Sequence, residues 1–203
     1  MKRYLLLLLF IPFLAACSSA ALTDKSDAEL KEYSKSFAQK ALIIDTHFDT
    51  PMFLLGGTAD YSQSYSKGNF DYPRAKEGGL KVPFWAAFIS SNYNEGNKAK
   101  EFTDKIIAAI EKFNSEHSDK FEIVTSPRQI LNKYENGKIL IGMGIENGAA
   151  IEDDINNIKY FYDKGIRYIT LTHSKNNRIC DASFDTERKW NGLSPFGVEV
   201  VKE

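Results

Sequence analysis

Apolar and polar positions divide the chain into short apolar runs separated by amphipathic stretches. Ser26 and Glu29 have capping-box spacing, which opens a helix. Leu30, Tyr33, Phe37 and Ala41 recur at three- and four-residue steps and supply its apolar face. The run 41–46 predicts a buried strand, and 51–70, polar and rich in Gly, Ser and Tyr, predicts a long loop. A second apolar run covers 80–89. A helix is expected over 98–114, with Phe102, Ile106, Ala109, Ile110 and Phe113 on one face, then a short helix over 127–134. The third strand is 139–145. Ile151, Ile155, Ile158 and Tyr162 mark another helix, stopped by Gly165. The fourth strand is 167–172, followed by a polar loop to about 191 and a helix starting near Pro195. Apolar strands alternating with amphipathic helices indicate a parallel sheet covered on both faces. A closed α/β barrel and an open doubly wound sheet both fit. No Gly-x-Gly-x-x-Gly follows the first strand, so a dinucleotide site has no support.

The first residues break this pattern. Lys2 and Arg3 precede an apolar run from Tyr4 to Leu14, the form of a secretory signal peptide. The run is shorter than the roughly 20 residues of a membrane helix. Leu14-Ala15-Ala16-Cys17 has the pattern of a bacterial lipobox. The expectation is a leader over 1–16, a lipidated Cys17, a polar tether over 17–23 and a folded region over 24–203. Two or three acyl chains anchor a protein stably where one does not. The expected location is therefore the bacterial cell envelope, tethered to a membrane, with Ser18 and Ser19 favouring the outer one.

Composition adds exclusions. Of 203 residues, 43% are hydrophobic and 26% charged, an ordinary globular balance. The net charge of -1 and the lack of a basic tract give no argument for nucleic acid as a partner. With Cys17 taken up by the lipid, Cys180 has no disulfide partner and reads as a small buried hydrophobe.

The chemistry collects where apolar runs end. In Asp45-Thr46-His47-Phe48-Asp49, residues two apart share a side of the strand, so His47 and Asp49 project together with Asp45 below. An imidazole and a carboxylate on one face form a ligand pair for zinc or a similar ion. The third strand ends in Glu146. Gly142 and Gly144 share its parity, which suggests room kept for a bound centre. His173 ends the fourth strand, in line with Ile169 and Leu171. His117, among Ser, Glu, Asp and Lys, reads as solvated surface. Taken singly, each residue has an ordinary explanation. Together, His47, Asp49, Glu146 and His173 fall where α/β folds build active sites, at the C-terminal strand ends.

These segments resemble the membrane (renal) dipeptidase family. Asp45-Thr46-His47-Phe48-Asp49-Thr50-Pro51 looks like its Asp-x-His-x-Asp-x-Pro opening. Gly78-Gly79-Leu80 with Phe84-Trp85 resembles its second strand, and Gly144-Ile145-Glu146-Asn147-Gly148 its glutamate segment. The run from Gly165 to Ser174, with Thr170-Leu171-Thr172-His173, matches its fourth strand, and Gly192 to Gly197 the loop and helix beyond. The resemblance implies the N-terminal half, about four β/α units, of a (β/α)8 TIM barrel that holds two zinc ions. His47 and Asp49 would bind the first metal, Glu146 would bridge both, and His173 would contact the substrate. A metal-bridging hydroxide would attack the bond of a dipeptide, and the full-length form would be a homodimer. Many members continue the glutamate segment with Gly-Gly-His, where this chain has Asn147-Gly148-Ala149-Ala150. The family runs on for about as long again, with two histidines for the second metal, an arginine and an aspartate. The expectation is thus an incomplete portion, inactive by itself. Two other readings stay open: a lactonase- or phosphotriesterase-type amidohydrolase on the same barrel, and a non-catalytic lipoprotein that binds a peptide or metal.

Overall fold

The computed structural model describes residues 25–57 and 59–203; the leader, Cys17 and the tether lie outside them. No helix among the described residues is long and apolar enough to cross a membrane. The described residues divide into two units at Ser34.

Helix α1 (Asp27–Lys40) opens with the expected capping box: the Ser26 amide donates to Glu29 Oε2 at 2.8 Å. None of its residues is buried among the described residues, and Tyr33 and Phe37 are 46% and 61% exposed. Gln39 Nε2 donates to the carbonyls of Lys76 and Glu77, closing the end of α2 (Tyr72–Gly78). The sequence pattern missed this short helix. Asp71 caps it, accepting the Arg74 amide at 2.9 Å.

Strands β1 (Ile43–Phe48), β2 (Leu80–Phe88), β4 (Ile139–Glu146) and β5 (Ile166–Ile169) pair side by side, all parallel. A three-residue strand, β3 (Phe121–Ile123), was not anticipated; it pairs with the first half of β4. Carbonyls of like parity on a strand face one edge. Ile141 accepts from Val124 and Ile145 from Thr170, so β3 and β5 share one edge of β4 in succession. Helices α3 (Ala99–Glu116), α4 (Pro127–Lys133), α5 (Asn156–Asp163) and α6 (Pro195–Lys202) complete the order.

The two faces of the sheet differ. Trp85, Ala87 and Ile89 of the β2 run join Ile139, Ile141, Met143 and Ile145 of β4 against Ile106, Ile110 and Phe113 of α3. Trp85 is fully buried, ringed by Tyr61, Phe70, Phe113 and Phe121. On the other face Val82 and Leu140 form a floor with Ile130 of α4. The register then pairs Phe84 with Gly142, Ala86 with Gly144 and Phe88 with Glu146 along that face.

Three expectations are corrected. β1 is not buried: residues Ile44 to His47 are exposed, because the strand pairs only with β2 among the described residues. The helix expected from Ile151 is a 3-10 turn over Gly148–Ile151, with α5 starting only at Asn156 and Tyr162 facing out. β5 stops at Ile169, so His173 sits on the loop beyond the strand rather than in line with it.

Candidate metal centre

β1 carries His47, and Asp49 follows it at the N-cap position of a 3-10 turn (Thr50–Phe53). The His47 amide donates to Asp45 Oδ1 at 3.0 Å, which ties that carboxylate to the backbone. His47 Nε2 lies 3.3 Å from Asp49 Oδ1 and 3.2 Å from Glu146 Oε2. The other Glu146 oxygen, Oε1, is 3.3 Å from His173 Nε2. Glu146 is the sheltered member, its side chain 15% exposed against 38% for His47. One donor atom each from His47, Asp49 and Glu146 gathers within 4.8 Å. Two carboxylates and an imidazole nitrogen this close could hold a metal ion between them. The set of one imidazole and two carboxylates suits zinc and similar borderline ions. His173 packs its ring on Phe88, centroids 5.0 Å apart. Beside it, Asp49, Met52, Phe53, Phe88, Glu146 and His173 line a cavity of about 320 Å³.

The space over the β4 glycines is filled by protein, contrary to expectation. A Cβ on Gly142 would come within 2.7 Å of the Phe84 ring, and one on Gly144 would run into the ring of Tyr168. The Tyr168 hydroxyl lies 3.0 Å from His47 Nδ1. Burial, helped by the nearby charges of Glu146 and Asp49, pushes its pKa up to about 12. The phenol is therefore neutral at physiological pH.

Asn147 organises what surrounds the glutamate. It is fully buried with φ 83°, a backbone region asparagine tolerates better than most residues. Its amide nitrogen donates to the Ile89 carbonyl and to Asn94 Oδ1, at 2.9 and 2.8 Å. Its Oδ1 accepts from Asn177 Nδ2 at 3.0 Å, and its backbone N–H donates to Thr170 Oγ1 at 2.9 Å. Asn177 holds the Leu171 carbonyl at 2.7 Å, and its own carbonyl accepts the Trp190 indole at 2.9 Å. The strand end bearing Glu146 and the loop bearing His173 are thus pinned to one buried amide. The departure from Gly-Gly-His at 147–150 builds this hub.

The Peptidase_M19 model, described as membrane dipeptidase (peptidase family M19), matches residues 32–203. This chain belongs to the membrane dipeptidase family. Among curated relatives, dipeptidase ataJ of Aspergillus terreus is 27% identical over 164 residues, covering 73% of this chain and 40% of the relative. An uncharacterized dipeptidase of Schizosaccharomyces pombe is 26% identical over 176 residues, 79% of this chain and 43% of that one. The chain therefore spans less than half the length of these relatives. Among solved structures, the probable dipeptidase PvdM from Pseudomonas aeruginosa superposes with a TM-score of 0.77 at 19% identity, covering 87% of this chain and 47% of that one. A Rhodobacter sphaeroides metallo peptidase, solved with a phosphinate mimic of the dipeptide L-Ala-D-Ala, gives 0.68 at 18%, covering 79% and 55%. The parallel sheet is accordingly that of the membrane dipeptidases, which are TIM-barrel metallopeptidases.

In this membrane dipeptidase chain all four expected site residues come together, His47, Asp49 and Glu146 directly and His173 through Glu146. His117 does not join them. It is half-buried at the end of α3, its ring 4.7 Å from that of Phe113 and its Nε2 3.7 Å from Asp60. It is therefore more enclosed than a solvated surface residue. Cys180 is free and buried as expected, beside Ile151, Ile179 and Val200, and burial raises its thiol pKa. Sequence reasoning missed Tyr168 and Asn147. The paired glycines signalled a close approach, and an asparagine directly after the glutamate signalled a left-handed turn.

Proposed function

We propose that the whole protein is a zinc-dependent dipeptidase whose centre is built on His47, Asp49 and Glu146. The observation that carries this is the meeting of their donor atoms within 4.8 Å at the C-terminal ends of β1 and β4. The reading includes two zinc ions, with Glu146 as their shared carboxylate. Bound zinc would supply Lewis acidity and lower the pKa of water at the scissile bond. The chain's own groups divide the remaining work. Asp49 and Glu146 concentrate negative charge for the ions, while His47 adds a neutral donor. His173, held by Glu146 Oε1 and packed on Phe88, presents its ring to the cavity lined by Met52 and Phe53, where it would contact the substrate. Dipeptides are the substrate class, supported by the dipeptidase relatives and by the dipeptide mimic bound to the Rhodobacter protein. The reading also includes a lipid anchor at Cys17, a place in the cell envelope and a homodimer. The family match over 32–203 favours it over a lactonase or phosphotriesterase.

The test is His47→Ala in the whole protein, with zinc content by elemental analysis and hydrolysis of a dipeptide panel that includes Ala-D-Ala. The variant should lose the first-site zinc and nearly all turnover together. Full zinc content with undiminished turnover would reject the assignment.

A further inference from the structure

Tyr168 has no part in the reaction outlined above, yet the sheet is shaped around it. It sits on β5, across from the glycine-bearing stretch of β4. Any side chain at position 144 would collide with its ring. The ring lies 6.0 Å from that of Phe84, which itself occupies the space over Gly142. Two missing side chains and one neighbouring ring thus fix where the phenol can lie. Its hydroxyl ends 3.0 Å from His47 Nδ1. The other nitrogen of that imidazole faces Asp49 and Glu146.

A neutral imidazole offers a lone pair on Nε2 only while Nδ1 keeps the proton, and the partner of Nδ1 selects that tautomer. A hydroxyl oxygen can accept Nδ1–H. We propose that Tyr168 is the positioning residue of the metal centre. Its hydroxyl oxygen accepts the Nδ1–H of His47 and fixes the ring so that the Nε2 lone pair points at the space between Asp49 and Glu146. Gly144 is the residue that admits the phenol. This inference rests on the reading of His47 as a metal ligand.

Tyr168→Phe removes the hydroxyl and keeps the ring, so it tests the bond with little change in packing. In the whole protein, zinc affinity read by competition with a chelator, without substrate, should weaken about 10–100-fold. The visible bands of the cobalt-substituted variant should shift, and lost dipeptide turnover should return as free zinc is raised, with KM near wild type. Gly144→Ala should weaken zinc binding in the same direction by displacing the ring, although it removes no polar group. Zinc affinity and cobalt spectra equal to wild type in Tyr168→Phe would overturn the proposal. So would a raised KM that persists at saturating zinc, since Tyr168 would then be a substrate contact. A wild-type protein that takes up no zinc overturns it together with the metal reading. If wild type binds zinc but cleaves no dipeptide, the proposed reaction fails while the zinc comparison still decides the role of Tyr168.

Discussion

At the scale of single residues, the strand end bearing Glu146 and the loop bearing His173 converge on the buried side chain of Asn147. His47, Asp49 and Glu146 announce themselves because charged and imidazole side chains at the ends of apolar runs need a reason to be there. Asn147 is an amide in a chain with many amides, and only the fold makes it a buried hub. Its contribution is measurable. Asn147→Ala would remove the side-chain donor to the Ile89 carbonyl and to Asn94 Oδ1 and one of the acceptors of Asn177 Nδ2, and would leave alanine at φ 83°. Unpaired buried polar groups cost about 1–3 kcal/mol each, less what water recovers. A loss of about 3 kcal/mol is expected, or about 6–12 °C in Tm for a chain of this size. Thermal melts of wild type and variant check this, and a change below about 2 °C would mean the network carries little stability.

At the scale of elements, apolar runs located four strands because parallel strands buried on both faces are nearly continuous hydrophobic stretches. β3 escaped notice because three residues carry no periodicity, and α2 because Pro73, Gly78 and charged residues look like loop. α2 depends instead on its cap. Asp71 is buried, which alone would raise its pKa. Bonds from the Arg74 and Tyr65 amides and from the Arg74 guanidinium outweigh that and hold the pKa below the ordinary carboxylate value. A depressed folded-state pKa gives stability that is present above the unfolded value, near 3.9, and lost as pH falls through the folded one. Asp71→Asn should therefore cost about 1–2 kcal/mol at neutral pH. The gap between the two proteins should hold down to about pH 4 and close below it. Melts from pH 7 to pH 3 test this, and a gap that widens on acidification would contradict the sign.

For the whole molecule, the sequence pattern reached the parallel sheet and the clustering of chemistry at one end. It left the choice between closed barrel and open sheet to family resemblance, because nearest-neighbour pairing is the same in both. The centre gathers like charges from elements distant in the chain, His47 and Asp49 from one and Glu146 from another. A cation that binds only the folded arrangement must stabilise it. At free zinc one hundred times Kd, the gain is about 2.7 kcal/mol per ion. Stripping the whole protein with EDTA should lower its Tm, and zinc should restore it, with the response lost in His47→Ala. Equal melting with and without chelator would show that folding and metal binding are uncoupled.

The two tryptophans give this chain a built-in pair of optical reporters. Trp85 is sealed among aromatic rings between β2 and α3, while half-buried Trp190 hangs by its indole on Asn177 in the network that holds the His173 loop. Trp190→Phe leaves an emission that follows the sheet core. Trp85→Phe leaves one that follows the loop. Fluorescence can therefore time the loosening of the loop separately from the melting of the sheet.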